Sequence, residues 1–239
     1  MTTFLKLGIA STLSVVFLSA CGGGSDSSPA ATIQTPTAVT SFNLQSGYKT
    51  LVASGRTNNF TISGTCSGSS TTTTSTPSAG TFEGISALSA VTTSTGNFTN
   101  CTPTTFANTS TGYFDNNYNP IGHSLAGVEY GKFLTALIAL PTSVKVNDTA
   151  EYGIETIYTD STKQVTKGKR NISYVIEADG TSTNTAIANL ITKNFNTANQ
   201  LLFTQQSRYR IDANGTLSIV SIDVQYSTTS SNHLFYTAK

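Results

Sequence analysis

From residue 41 onwards, apolar residues come in short runs or alternate with polar ones, the period of strands rather than helices. Ser41 to Leu44, Tyr48 to Ala53 and Asn59 to Gly64 each predict a strand, the last with Phe60 and Ile62 on one face, and Gly-containing turns end the second and third. Ser67 to Ser78 is almost entirely Ser and Thr, with too little apolar surface to hold a shape, and predicts a mobile loop. Thr81 to Val91 spaces Phe82, Ile85, Leu88 and Val91 by three, which suits a turn of helix as well as an irregular strand. Gly96 to Cys101 returns as a strand.

The second half is more regular. Leu134 to Leu140 is an apolar run stopped by Pro141. Ala150 to Thr159 alternates Tyr152, Ile154 and Tyr158 against Glu151 and Glu155, and Asn171 to Glu177 repeats the pattern through Ile172, Tyr174 and Ile176. Thr185 to Phe195 has near-helical spacing, but its Thr and Ile content favours a strand. Ala213-Asn214-Gly215-Thr216 predicts a hairpin with a type I′ turn, because Asn-Gly accepts two positive φ angles. On its second arm the apolar parity changes between Ile219 and Ile222, which predicts a β-bulge near Val220-Ser221. Leu234 to Tyr236 predicts a short edge strand. The pattern as a whole predicts a mainly β protein, an antiparallel sandwich or strongly curved two-layer sheet. Charge divides unevenly: residues 21–120 carry only Asp26, Lys49, Arg56, Glu83 and Asp115, which predicts two subdomains, 41–120 and 121–239.

The N-terminal segment has a different character. Lys6 precedes an apolar stretch from Leu7 to Leu18, long enough for a signal h-region and too short to span a bilayer. Leu18-Ser19-Ala20-Cys21 then resembles the lipobox of bacterial lipoproteins. That resemblance implies a signal peptide over residues 1–20, cleavage before Cys21 and acylation of its sulfur. It also implies stable membrane attachment through at least two chains, with residues 21–40 as a Gly/Ser/Pro tether. In such lipoproteins an Asp after the cysteine favours inner-membrane retention; Gly22 stands there, so the expected location is the cell envelope, at the outer membrane.

This address alters the reading of composition. Of the 13 Lys and Arg, Lys6 lies in the leader, and the remaining 12 balance 12 Asp and Glu, so no nucleic-acid partner is implied. Cys66 and Cys101 remain as a pair in an oxidising compartment and predict a disulfide; a loop of 35 residues corresponds to about 3.8 kcal/mol in the chain-entropy model. Asn-x-Ser/Thr triplets such as Asn59-Phe60-Thr61 carry no glycan in a bacterium. The basic run Lys163, Lys167, Lys169 and Arg170 reads as a solvated turn, with lipid head groups as the alternative contact.

Two stretches bear on chemistry. Gly112 to Gly122 is the densest polar-aromatic segment, and Tyr113, Phe114, Asp115 and Tyr118 suit a sugar or peptide, but the preferred reading is an interdomain connection tucked against the sheet by Tyr113, Phe114 and Tyr118. Asp115-Asn116-Asn117 lacks the acids of a calcium loop. Gly122-His123-Ser124-Leu125-Ala126 departs at its fifth position from the Gly-x-Ser-x-Gly elbow of the α/β-hydrolase family, which it otherwise resembles. That resemblance implies Ser124 as nucleophile with Asp212 or Asp223 and His233, and requires a strand before the turn and a helix after it. Asn119-Pro120 argues against that context. No metal or cofactor motif is present. The sequence therefore predicts a lipid-anchored envelope protein that binds or scaffolds, with no catalytic role. The partner is an envelope protein or saccharide; the alternatives are an esterase-like hydrolase and a carbohydrate-binding surface module.

Overall fold

The computed structural model describes residues 41–180, 182–227 and 232–239, so Cys21, the leader and the tether lie outside the described residues. One helix, α1 (Leu44–Ala53), is followed by β1 (Arg56–Gly64), β2 (Gly68–Thr74), β3 (Ser78–Phe82), β4 (Ile85–Phe98), β5 (Thr105–Phe114), β6 (Pro120–Leu125) and β7 (Glu129–Phe133). The second half supplies β8 (Thr149–Tyr158), β9 (Thr166–Ala178), β10 (Thr185–Asn196), β11 (Leu201–Asp212), β12 (Leu217–Tyr226) and β13 (His233–Ala238). All pairings are antiparallel. From β3 to β13 each strand pairs with the next, β1 pairs with β2, and β13 returns to β1 through Phe60↔Ala238 to Gly64↔Leu234. β2 and β3 lie end to end along β4, against its second and first halves.

Twelve strands therefore close into a barrel, with β3 as an extra flap. The mainly antiparallel β expectation holds, whereas the sandwich and the two-layer sheet are corrected. Alternating side chains look the same in either architecture, and the difference is made by the β1–β13 pairing, which removes both edges. Leu234–Tyr236 is thus no edge strand. Residue 120 is no boundary either, since Pro120 opens β6 and β6 pairs with β5 in the same wall.

Residues opposite one another in an antiparallel pair share a face, so the registers identify the lumen. Phe60, Tyr236, Ile222, Ser207, Tyr174, Glu155, His123, Ser94 and Ser70 all lie on it. The outer face of β1, β2, β4 and β5 carries Thr57, Asn59, Thr61, Thr71, Thr73, Thr93, Thr95 and Thr109. On these four strands the exterior is the reverse of that of an outer-membrane barrel, which bears an apolar band. No described helix is long and apolar enough to cross a membrane.

One end of the lumen is filled. Phe42, Leu44, Leu140, Val144, Tyr152, Tyr174, Ile176, Ala186, Ala188, Ile211 and Leu217 form the main core, with Tyr48 and Leu51 of α1 packed against it. Phe42 and Val144 exchange backbone hydrogen bonds of 2.8 and 2.9 Å, tying the entry to α1 to the segment after β7. The helix replaces the strand expected over 48–53. Asn43 Oδ1 caps it by accepting from Ser46 N at 2.9 Å, and Leu44, Tyr48, Leu51 and Val52 recur at helical spacing. Leu134–Leu140 forms no strand but contributes to this plug.

The Ser/Thr stretch differs most from expectation: residues 68–74 form β2, paired on both sides. Its backbone is satisfied by β1 and β4, and hydroxyl pairs Thr72–Ser94 (3.0 Å) and Thr74–Thr92 (3.1 Å) replace apolar packing. Thr81–Val91 resolves into the β3–β4 hairpin, whose Glu83 (φ 52°) and Gly84 (φ 79°) make the two-residue turn with paired positive φ. At the expected Asn-Gly turn only Gly215 is left-handed (φ 82°), and Asp212 Oδ1 accepts from Asn214 N and Thr216 N. The hairpin is present, with a longer turn. The predicted bulge is present as well, since the register shifts as Arg208↔Ser221 gives way to Tyr209↔Ile219. In β8 a bulge at Tyr152 inverts the expected alternation, so Glu155 is 4% exposed while Ile154 faces outward at 46%.

Cys66 and Cys101 are disulfide-bonded with Cα atoms 5.6 Å apart, joining the β1–β2 turn to the β4–β5 loop where β2 meets β4. The cross-link clasps the Gly68↔Phe98 end of the β2–β4 ladder, the end away from β3, which pairs with Ile85 to Ser89 of β4. Replacing both cysteines by alanine is expected to lower stability by about 2–4 kcal/mol in urea unfolding at unchanged far-ultraviolet dichroism; an unchanged midpoint would show that the wall needs no such constraint.

Candidate functional site

Beyond the plug the lumen is lined by two contrasting walls. The first is charged. His123 on β6 stands opposite Gly131 on β7, Glu155 on β8 opposite Arg170 on β9, and Arg170 opposite Asn194 on β10. Glu129 opens β7 on the same face. Arg170 Nη2 bonds Glu129, its Nε donates to Asn194 Oδ1 at 2.7 Å, and its Nη1 lies 3.4 Å from Glu155 Oε2. Lys167 Nζ approaches Glu129 Oε2 at 3.6 Å. A Cβ at Gly131 would collide with both the His123 ring and Glu155 Oε1, so glycine is what lets these two side chains meet.

His123 has two bonding states. Protonated, it donates from Nδ1 to Glu155 Oε1 (2.7 Å) and from Nε2 to Glu129 Oε1 (3.2 Å). Neutral with the proton on Nδ1, it keeps Glu155, and Nε2 accepts from Arg170 Nη1 at 3.0 Å. Burial opposes the imidazolium, yet the hydrogen bonds to Glu129 and Glu155 prevail and raise its pKa above 6.5. Burial also opposes the Glu129 carboxylate, but the His123 hydrogen bond and the Arg170 charge hold it down at about 2. With His123 protonated, His123 and Arg170 face Glu129 and Glu155, and the half-exposed Lys167 adds a third cation beside Glu129.

The second wall is uncharged. Phe60, Ser70, Thr72, Ser94, Phe106 and Asn108, with Gln205, Ile222, Val224 and Tyr236, enclose a cavity of about 240 Å³. Aromatic pairs stand around it: Phe60 and Tyr236 edge to face at 6.2 Å, Phe98 and Phe106 at 5.3 Å, and Phe203 and Tyr226 at 5.6 Å. A larger cavity of about 440 Å³ lies between α1 and the wall, where Arg56 is committed to the Leu51 carbonyl at 2.7 Å. Among the described residues no group of three or more His, Cys, Asp or Glu side chains is placed to hold a metal ion.

The sequence-derived candidates do not converge. Ser124 points outward from β6, opposite Thr111 and Tyr130, and the chain continues into β7 rather than a helix, so no nucleophile elbow forms. His233 bonds Asp223 at 2.7 Å on the outer face of β13 and β12, five strand spacings from Ser124, or about 24 Å around the wall at roughly 4.8 Å each. Asp212 caps its own turn. Tyr113 and Phe114 occupy opposite faces: Tyr113 packs on Phe82 (4.6 Å) outside, and Phe114 lies towards Gly112 inside. Asp115 closes its loop by accepting from Asn117 N and from Asn119, and Tyr118 lies beneath Lys49 Nζ at 5.7 Å. The expected sugar-binding surface of Tyr113, Phe114 and Tyr118 is therefore not assembled.

The basic run is dispersed. Lys163 joins Lys132 and the Tyr130 hydroxyl on Glu83 at the β3–β4 tip, while Arg170 turns into the lumen. Burial opposes the Glu83 carboxylate, and the bonds from Lys132, Lys163 and Tyr130 overcome it, holding its pKa at about 2. Sequence reasoning missed the lumenal cluster. The signal was an acid, Glu155, that an outward alternation had seemed to explain, and a base, Arg170, that a solvated turn had seemed to explain.

Comparison with family models, curated proteins and solved structures gives no match.

A raised histidine pKa contributes stability fully below the unfolded value of 6.5 and loses it as pH rises through the folded value. Glu129 contributes above its unfolded value of 4.5 and loses that contribution as pH falls towards 2. The cluster is thus strongest between these limits. The stability advantage of the natural chain over His123→Gln, taken from urea midpoints, is expected to be largest near pH 5–6 and to shrink towards pH 9. A pH-independent difference would dissociate His123 from the carboxylates.

Proposed function

We propose that this protein is a lipid-anchored binding protein of the bacterial envelope whose barrel lumen receives a small ligand. The observation that carries this reading is the lumen itself. Its plugged end has a packed core, whereas the remainder is lined by aromatic, amide and hydroxyl side chains, buried at Phe60 and Ser70 and exposed at Asn108, around an unfilled cavity. Barrels of eight strands fill their interior with side chains, and twelve strands leave room for a guest. The charged wall fixes strands β6 to β10 around that space. The polar exterior fits a barrel standing in water, and the lipobox-like Leu18-Ser19-Ala20-Cys21 supplies attachment.

Two measurements test this, the anchor being tested on the full-length chain expressed in a bacterium. Cys21→Ser is expected to abolish membrane sedimentation after a high-salt wash while leaving the thermal transition intact; continued pelleting would remove the anchor. In that soluble variant the uncharged aromatic probe N-phenyl-1-naphthylamine is expected to gain fluorescence on entering the lumen, and Ser94→Trp, which fills the cavity, to abolish the gain. If Ser94→Trp leaves the probe signal unchanged, the lumen is not the receiving site.

A further inference from the structure

The uncharged wall restricts the chemistry of the guest. None of the cavity-lining residues is ionisable near neutral pH, and the charged groups of the lumen bond one another, with Asn194 on Arg170. An anionic or cationic guest would therefore give up water without gaining a counter-charge. An acyl chain would strand the hydroxyls of Ser70, Thr72 and Ser94 and the amides of Asn108 and Gln205 against hydrocarbon, at a cost of about 1–3 kcal/mol for each group left unpaired. A peptide adding as a strand would use a free edge, Thr105 to Thr109 of β5 beyond its pairing with β6 or the outer side of β3, and would lie along the wall rather than in the cavity.

A neutral sugar ring fits what remains. Its apolar face stacks on an aromatic ring while its hydroxyls pair with amides and hydroxyls. Phe106 offers such a face: a Cβ at Gly96 would strike its ring, so the ring packs closely against bare backbone there. The Asn108 side chain forms no hydrogen bond with any other described residue, and the Gln205 amide nitrogen reaches only Ser207 Oγ at 3.2 Å, leaving its oxygen to accept. Ser94 and Thr72 share one hydroxyl contact of 3.0 Å and keep capacity to spare. The volume of about 240 Å³ corresponds to roughly eight waters at about 30 Å³ each, room for one ring.

We infer that the lumen binds one ring of an uncharged saccharide, with Phe106 and Tyr236 as stacking surfaces and Asn108 and Gln205 as the hydroxyl-reading amides. This rests on the lumen being the ligand site. The soluble Cys21→Ser chain is titrated with maltotriose and chitotriose, two neutral oligosaccharides, and with sialyllactose, a charged one, by saturation-transfer NMR and calorimetry up to about 10 mM, ten times a millimolar Kd. Binding of a neutral sugar is expected, with sialyllactose weaker, about tenfold loss in Asn108→Leu and complete loss in Ser94→Trp. Asn108→Leu retains side-chain volume, and an unchanged thermal transition separates lost recognition from lost folding. If neither neutral sugar binds while N-phenyl-1-naphthylamine still enters, the saccharide assignment is overturned and the receiving lumen stands. If the probe also fails to enter, both fall. Tighter binding of sialyllactose than of the neutral sugars would equally overturn the uncharged class.

Discussion

The pairing of β1 with β13 is the constraint on which everything else depends. Without it the chain is an antiparallel meander with two open edges, and each strand is free to present either face to solvent. With it, every strand contributes one row of side chains to a shared lumen, and twelve strands set a lumen too wide to be filled by those rows alone. The plug follows from that surplus. α1 and the segment around Leu137 to Val144 occupy one end, where Tyr174, Ile176, Ile211 and Leu217 require apolar partners. The other end remains polar and lined with rings.

Closure also accounts for the unusual composition of the first strands. In an open sheet, a Ser/Thr run such as residues 68–74 buries too little apolar surface to stay ordered. Inserted between β1 and β4 its backbone hydrogen bonds are complete, and hydroxyl contacts across the strands serve both faces. The disulfide stands beside this segment, at the Gly68↔Phe98 end of its ladder with β4 and away from the β3 flap.

The charged cluster obeys the same logic. Glu155, Arg170, His123 and Glu129 come from β8, β9, β6 and β7, and their approach depends on Gly131 having no side chain. Desolvation of each charge is offset by the others and by Asn194, so removing one partner exposes the rest to an uncompensated burial cost. The cluster, with Asn194, therefore fixes the geometry of the five strands β6 to β10 and leaves the opposite wall as the part of the lumen with hydrogen-bonding capacity to spare.

Strand identity was legible where alternation was strong. Residues 171–177 and the arms of the 201–226 hairpin, with its bulge, read correctly because period-two burial is a local property, and 185–195 read correctly from its Thr and Ile content. The disulfide was legible from pairing arithmetic. The helix over 44–53 was legible in retrospect from Asn43 and the spacing of Leu44, Tyr48, Leu51 and Val52. Local pattern could not decide closure, since β1 and β13 lie at opposite ends of the described chain. Nor could it place Glu155 inside: a bulge at Tyr152 reversed the faces of β8, and the partners that make a buried glutamate tolerable lie on other strands. The sequence by itself determined a mainly antiparallel β chain with one structural cross-link and a lipobox-like start. Only the tertiary structure decided that its strands form a barrel, which face is the lumen and which side chains meet there, because those depend on long-range register, and one residue of slip exchanges inside for outside.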